Sequence, residues 1–271
     1  MITFHGPTGS IRIDKIDLYS DNTPMVKHDR WDEIVECDTV TVQANSLQTL
    51  TTALFMVDAV NWRGGWIKNL ILPYLPGARQ DRMNPTGDVL FTAWSVAQMI
   101  NQRKFSNVVA IDPHSETMPR FIENFREYPL HRALDFVPDV YTGVISPDKG
   151  ATTRAENAAL FLGVGLFQGR KERDVATGQL TGFEVDSLTP GAHYLVVDDI
   201  CDGGGTFLGL AEKIAEQGCT ADLFVTHGIF SKGTTLLRKA FGKIYSTDSL
   251  GLGGIEGVKT IRIVEDMENY L

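Results

Sequence analysis

YLVVDDICDGGGT, residues 194 to 206, combines three signals in one stretch. Tyr194 to Val197 is an apolar run suited to a buried strand, Asp198 and Asp199 stand at its C-terminal end, and Gly203, Gly204 and Gly205 lead into a helical pattern. There Phe207, Leu210, Ala211, Ile214 and Ala215 recur at three- and four-residue spacing, which makes one apolar stripe. Strand, turn and helix in this order build an α/β fold, whose ligands bind at the C-terminal edge of the sheet. Consecutive glycines let backbone N–H groups form a nest, and the helix dipole adds partial positive charge, so a phosphate is held without a cationic side chain. The paired aspartates suit vicinal hydroxyls or a hydrated Mg²⁺. The plainer alternative is that Asp202 caps a helix after a flexible turn.

Outward from this stretch, β-rich runs at 69–73, 107–111, 143–146, 222–226 and 260–264 alternate with helical patterns at 47–60, 88–102, 154–162 and 206–217. That alternation predicts parallel sheets covered by helices. Two prolines and broken periodicity over 129–139 divide the chain into an expected N-terminal domain, 1–135, and a C-terminal domain, 136–271. The polar stretch 165–184 has little periodicity and is expected to be a loop, either a disordered connection or a lid.

Composition narrows the function. A chain of 271 residues, 43% of them hydrophobic, buries a large core. Its net charge of -9 argues against general nucleic-acid binding, which needs a basic face. No apolar run approaches the roughly 20 residues of a membrane span, and Met1 to Ser10 carries no export signal, so a cytoplasmic protein is expected. Cys37, Cys201 and Cys219 are too few and too scattered for a disulfide framework or a thiolate metal site. An anionic substrate in so acidic a chain needs locally gathered Arg and Lys.

Those residues occur in four further motifs. Leu72 to Arg82 reads LPYLPGARQDR, in which Arg79, Gln80 and Arg82 offer guanidiniums and an amide to a triphosphate and an adenine edge. Val109 to Ser115 reads VAIDPHS and sets His114 at a strand end, where it suits a metal or a phosphate. Ile145 to Ala155 reads ISPDKGATTRA, with Asp148 in a turn and Arg154 opening a helix. Arg170 to Arg173 is a charge run that, taken alone, reads as a solvated surface.

In this order the motifs resemble those of the ribose-phosphate pyrophosphokinases, the phosphoribosyl pyrophosphate synthetases. VTHGIFSKG (225–233) and IYSTDS (244–249) extend the resemblance over most of the chain from about Asp38. The resemblance implies two phosphoribosyltransferase-like domains, each a mostly parallel sheet flanked by helices. It also implies Mg²⁺ and ATP as cofactor and co-substrate, a ribose phosphate as the other substrate, no nucleic acid or membrane partner, and a homo-oligomer, a dimer or higher. Site roles follow from it: Arg79, Gln80, Arg82, His114 and Arg154 for ATP; His114 and Asp148 for the metal; Lys171, Arg173 and His114 for catalysis. Asp198, Asp199, Asp202, Gly203, Gly204, Gly205 and Thr206 would hold the ribose phosphate.

Two departures stand out. The family's N-terminal adenine loop survives only as Trp31, Asp32 and Glu33. Its phosphate loop usually reads Asp-Thr-Gly-Gly-Thr, and here Gly203 takes the place of the first threonine. The expected reaction is therefore diphosphoryl transfer to the anomeric hydroxyl of ribose 5-phosphate, giving phosphoribosyl pyrophosphate and AMP for nucleotide biosynthesis. The alternative acceptor is a 5-substituted ribose such as ADP-ribose, in NAD metabolism. A phosphoribosyltransferase leaves the RQDR and His114 motifs unexplained, and a non-catalytic regulatory relative leaves Lys171 and Arg173 so.

Overall fold

The computed structural model describes every residue except 84–89, 139 and 174–179, and the side chains of 172, 173, 180 and 181 are also left aside. The chain forms two compact units, one of Met1–Tyr128, Ser249–Gly251 and Val264–Leu271, the other of Pro129–Asp248 and Leu252–Ile263. The boundary expected at 135/136 thus falls at 128/129, and the last residues return to the first unit instead of completing the second.

In the first unit, β1 (Ile2–Gly6) and β2 (Gly9–Ile13) form a hairpin whose first strand pairs antiparallel with β3 (Thr39–Val42). Parallel strands β4 (Asn69–Ile71), β5 (Asn107–Ile111) and β6 (Phe125–Tyr128) extend the sheet, in the order β2-β1-β3-β4-β5-β6. Helix α1 (Leu47–Trp62) begins at Ser46, whose hydroxyl accepts from the Thr49 N–H at 3.2 Å and so satisfies one of the orphan donors of the first turn. Its Leu50, Leu54 and Val57 join Phe4, Val40, Leu70 and Val108 of the strands in one buried core. Helix α2 (Thr92–Asn101) starts later than the expected residue 88, which lies outside the described residues.

The second unit is a seven-stranded sheet. Its strands are β7 (Gly143–Ser146), β8 (Gly165–Arg173), β9 (Leu180–Val185), β10 (His193–Cys201), β11 (Thr220–Gly228), β12 (Ile244–Thr247) and β13 (Lys259–Ile261). The order is β9-β8-β7-β10-β11-β12-β13, parallel throughout except for the β8–β9 pair. Helices α3 (Thr152–Leu162) and α4 (Gly205–Glu216) flank it, and Phe207, Leu210 and Ile214 of α4 pack on Tyr194, Val196 and Val225. The expected two-domain α/β class is what the fold has.

The stretch 165–184 departs from expectation on either side of 174–179, which lie outside the described residues: it supplies the antiparallel strands of the β8–β9 hairpin. Backbone pairing needs no apolar side chains, so a polar strand carries no periodicity signal. Its anchor is Phe183, whose ring lies where a Cβ on Gly209 of α4 would sit, 2.2 Å from it. A short final helix, α5 (Val264–Glu268), closes the first unit. Among the described residues, no helix is long and apolar enough to cross a membrane.

Candidate active site

In the second unit the chemistry gathers at the C-terminal ends of β7, β8, β10 and β11, the edge where parallel sheets bind ligands. Asp198 and Asp199 lie near the end of β10, and Asp199 is only 4% exposed. From α3, Arg154 bridges them, with Nη1 3.2 Å from Asp198 Oδ1 and Nη2 3.6 Å from Asp199 Oδ2. Sequence reasoning gave Arg154 to ATP; the fold brings it to the two acids. Burial and then the charge of Asp199 lift the Asp198 carboxyl well above the usual carboxylate range, and Arg154 offsets this only in part. Two acids and one guanidinium thus meet near the end of β10.

Beyond the acids the chain turns through Asp202 and the three glycines into α4. Gly204 has φ +78° and its missing Cβ would meet Leu237 at 3.3 Å, so this position takes glycine on both counts. No described side chain caps α4, and the first intrahelical bond runs from Leu208 N to Gly204 O at 3.0 Å. The N–H groups of Gly205, Thr206 and Phe207 therefore have no partner in the preceding turn, as an anion site requires. Nothing lies within 4 Å of the Cβ position of Gly205.

On β7's side, Asp148 begins a single 3₁₀ turn, Lys149–Ala151, its Oδ1 accepting from Gly150 N at 2.8 Å and Ala151 N at 3.3 Å. Its Oδ2 takes Lys171 Nζ of β8 at 2.7 Å. Burial pushes the Asp148 carboxyl up, but Lys171 and the two N–H groups outweigh it and hold the carboxyl below the ordinary value. Lys171 thus lies in the second unit's cluster, whereas the side chain of Arg173 falls outside the described residues. Buried Cys201 has its thiol pushed up to about 12 by burial and the charges of Asp198 and Asp202, which keeps it protonated and inert.

The first unit has a matching edge. Leu72 N donates to Val109 O at 2.8 Å and Ile111 N to Pro73 O at 3.2 Å, so the segments after β4 and β5 leave the sheet side by side. The first carries Arg79, Gln80 and Arg82 through a turn closed by Gln80 N to Gly77 O at 3.1 Å. The Gln80 carboxamide oxygen accepts from the Thr92 hydroxyl at the start of α2, and Arg82 Nε lies 3.4 Å from Asp81 Oδ1. The second carries His114, where Asp112 and His114 take φ of +44° and +66° on either side of Pro113. Two non-glycine residues in the left-handed region fix the direction of this loop at a cost in backbone strain. Trp31 sits elsewhere on this unit, its ring covered by the Arg63 guanidinium at 4.5 Å, and Glu33 is held by Arg30.

Among the described residues no three His, Cys, Asp or Glu side chains converge as a metal cage. Magnesium asks for less, one or two carboxylates together with substrate phosphates, and Asp148, Asp198 and Asp199 put carboxylates at this sheet edge. Sequence reasoning assigned no role to Lys232, whose stem lies across Gly203: a Cβ there would be 3.4 Å from Lys232 Cε. Its position just past β11, at the same sheet edge as the glycine loop, was the available signal.

No family model matches the chain. It is 30% identical over 242 residues to a ribose-phosphate pyrophosphokinase of Rhizobium meliloti, covering 84% of this chain and 77% of that protein. A ribose-phosphate pyrophosphokinase of Pyrococcus furiosus is 30% identical over 232 residues, 82% of this chain and 79% of the relative. In structure the fold resembles a phosphoribosylpyrophosphate synthetase from Mycobacterium smegmatis, with a TM-score of 0.79 over 94% of this chain and 88% of the other, at 24% identity.

Proposed function

The chain belongs to the ribose-phosphate pyrophosphokinase family, and from that premise we propose that it transfers the diphosphoryl group of Mg-ATP to the anomeric hydroxyl of a ribose 5-phosphate. The observation that carries this reading is the second unit's pairing of two adjacent acids near a strand end with a glycine-rich helix N-terminus a few residues on. The acids suit the ribose hydroxyls and the free N–H groups suit its 5-phosphate.

The acceptor's 1-oxygen attacks the β-phosphorus of ATP. The bond from that phosphorus to the oxygen bridging α and β breaks, AMP leaves with the electron pair, and the hydroxyl proton passes to solvent. Such a transfer needs positioning and charge neutralisation more than covalent help. Magnesium would neutralise phosphate charge, and in the second unit Asp148 is the carboxylate that family likeness would give it. Arg79, Gln80 and Arg82 hold the nucleotide, Asp198 and Asp199 orient the ribose, and Lys171 with Arg173 stabilises the charge of the moving group. Lys171 is tied to Asp148 at 2.7 Å, so a phosphate must draw it from that carboxylate.

A second reading, an acceptor whose 5-phosphate is esterified, such as ADP-ribose, is favoured by one feature: residue 203 has no side chain to close the loop over a terminal phosphate. The test is AMP release from Mg-ATP with ribose 5-phosphate and ADP-ribose offered separately and products identified by mass. Conversion of ribose 5-phosphate supports the first reading and conversion of ADP-ribose alone the second. No AMP with either acceptor overturns the catalytic reading and favours a regulatory relative.

A further inference from the structure

The glycine loop has a neighbour that ordinary phosphate binding does not require. The turn Phe230 to Gly233 follows β11, with Phe230 at φ +47°, Gly233 at φ +71° and Gly233 N bonded to Phe230 O at 2.8 Å. It is fastened to the loop by three backbone bonds: Ile229 N and Phe230 N both donate to Cys201 O, at 2.9 and 3.0 Å, and Ser231 N donates to Asp202 O at 3.1 Å. Lys232, at the tip, runs its stem across the face of Gly203, where a Cβ would find its Cε at 3.4 Å, Cδ at 3.5 Å and Cγ at 3.8 Å. The lysine is exposed and pairs with no carboxylate among the described residues.

A nest of N–H groups holds a single phosphate without a cation. A full positive charge delivered outward of Gly203, in a chain of net charge -9, is therefore in surplus for a bare 5-phosphate. It matches an anion that continues beyond it. We propose that Lys232 is a specificity-determining residue that binds a second phosphate esterified to the acceptor's 5-phosphate, and so selects a nucleoside diphosphate ribose over ribose 5-phosphate. This rests on the second reading above. Gly203 and Lys232 act as a pair: the stem passes within van der Waals reach of where a Cβ on residue 203 would sit, and it carries the charge past the nest.

The experiment compares kcat/KM for ADP-ribose and for ribose 5-phosphate in the wild type, Lys232→Met and Lys232→Arg, with equilibrium binding of each acceptor by calorimetry. Methionine keeps a stem of similar reach and removes the charge. The expected result is a fall of about tenfold in the ADP-ribose to ribose 5-phosphate ratio for K232M, the scale of one charge-assisted hydrogen bond. It should appear mainly in KM and be largely restored in K232R. If the wild type converts ADP-ribose and K232M leaves the ratio unchanged in both kinetics and binding, the role of Lys232 is overturned and the acceptor reading survives. A wild type that converts only ribose 5-phosphate overturns the acceptor reading, and the role of Lys232 with it.

Discussion

Asp198 holds its proton more tightly in the folded chain than in the unfolded one, because burial and the Asp199 charge outweigh Arg154. For a carboxyl shifted this way, stability falls as pH rises from the ordinary aspartate value, about 3.9, through the raised folded value. The loop therefore carries a cost at neutral pH that, on the proposed function, the ribose hydroxyls would relieve. Asp198→Asn should raise the thermal midpoint at pH 7 to 8 by a few degrees, roughly 2–4 °C per kcal/mol for a chain of this size, while abolishing transfer. A midpoint lowered at every pH would mean that the Arg154 bond outweighs the repulsion. Asp148 behaves in the opposite sense: its depressed carboxyl adds stability above the ordinary aspartate value, lost as pH falls through the lower folded one. In Lys171→Met only two N–H groups remain against burial, so the Asp148 carboxyl should titrate upward, read by carbon NMR. Turnover should drop by at least about a hundredfold.

The β8–β9 hairpin rests on α4 through Phe183 and Gly209, and β8 is the strand that carries Lys171. Gly209→Ala separates two effects of opposite sign. In an open helix the change would stabilise by about 1 kcal/mol, but a methyl 2.2 Å from the Phe183 ring forces the hairpin away, at roughly 1–3 kcal/mol. Net destabilisation in urea with a fall in kcat is expected, and a gain in stability would show that the hairpin yields freely. This hairpin was the element least visible in the sequence. The buried parallel strands β5 and β7 were legible to the residue because both faces demand apolar side chains. Of residues 165–171 only Gly169 is buried, so the strand declares itself through backbone pairing. The site shows the same division. Asp198, Asp199 and the glycines are contiguous and were readable as a unit, whereas the Arg154 bridge spans 44 positions and the Lys232–Gly203 contact depends on two loops meeting at one sheet edge.

The last residues matter to the first sheet. Within that unit, Glu268 bonds His5 at 3.1 Å and Thr41 at 3.0 Å, Asp266 accepts from the Tyr128 hydroxyl, and Met267 is 0% exposed. These contacts reach β1, β3 and β6. Removal of 264–271 should raise hydrogen exchange in those strands well above that of β10 and β11, measured by mass spectrometry. Equal exchange in both sheets would mean that α5 contributes little. Composition gave no hint of this return, since the residues 260–264 look like one more strand and only the fold ends it at Ile261. The return also orders events in time. A nascent chain emerges from the ribosome in sequence order, and residues that complete the first sheet follow the whole of the second unit out of the exit tunnel. The part of the protein synthesised first is thus the part whose folding finishes last, and until then the carboxylates of Asp266 and Glu268 that Tyr128 and His5 bond are not yet made.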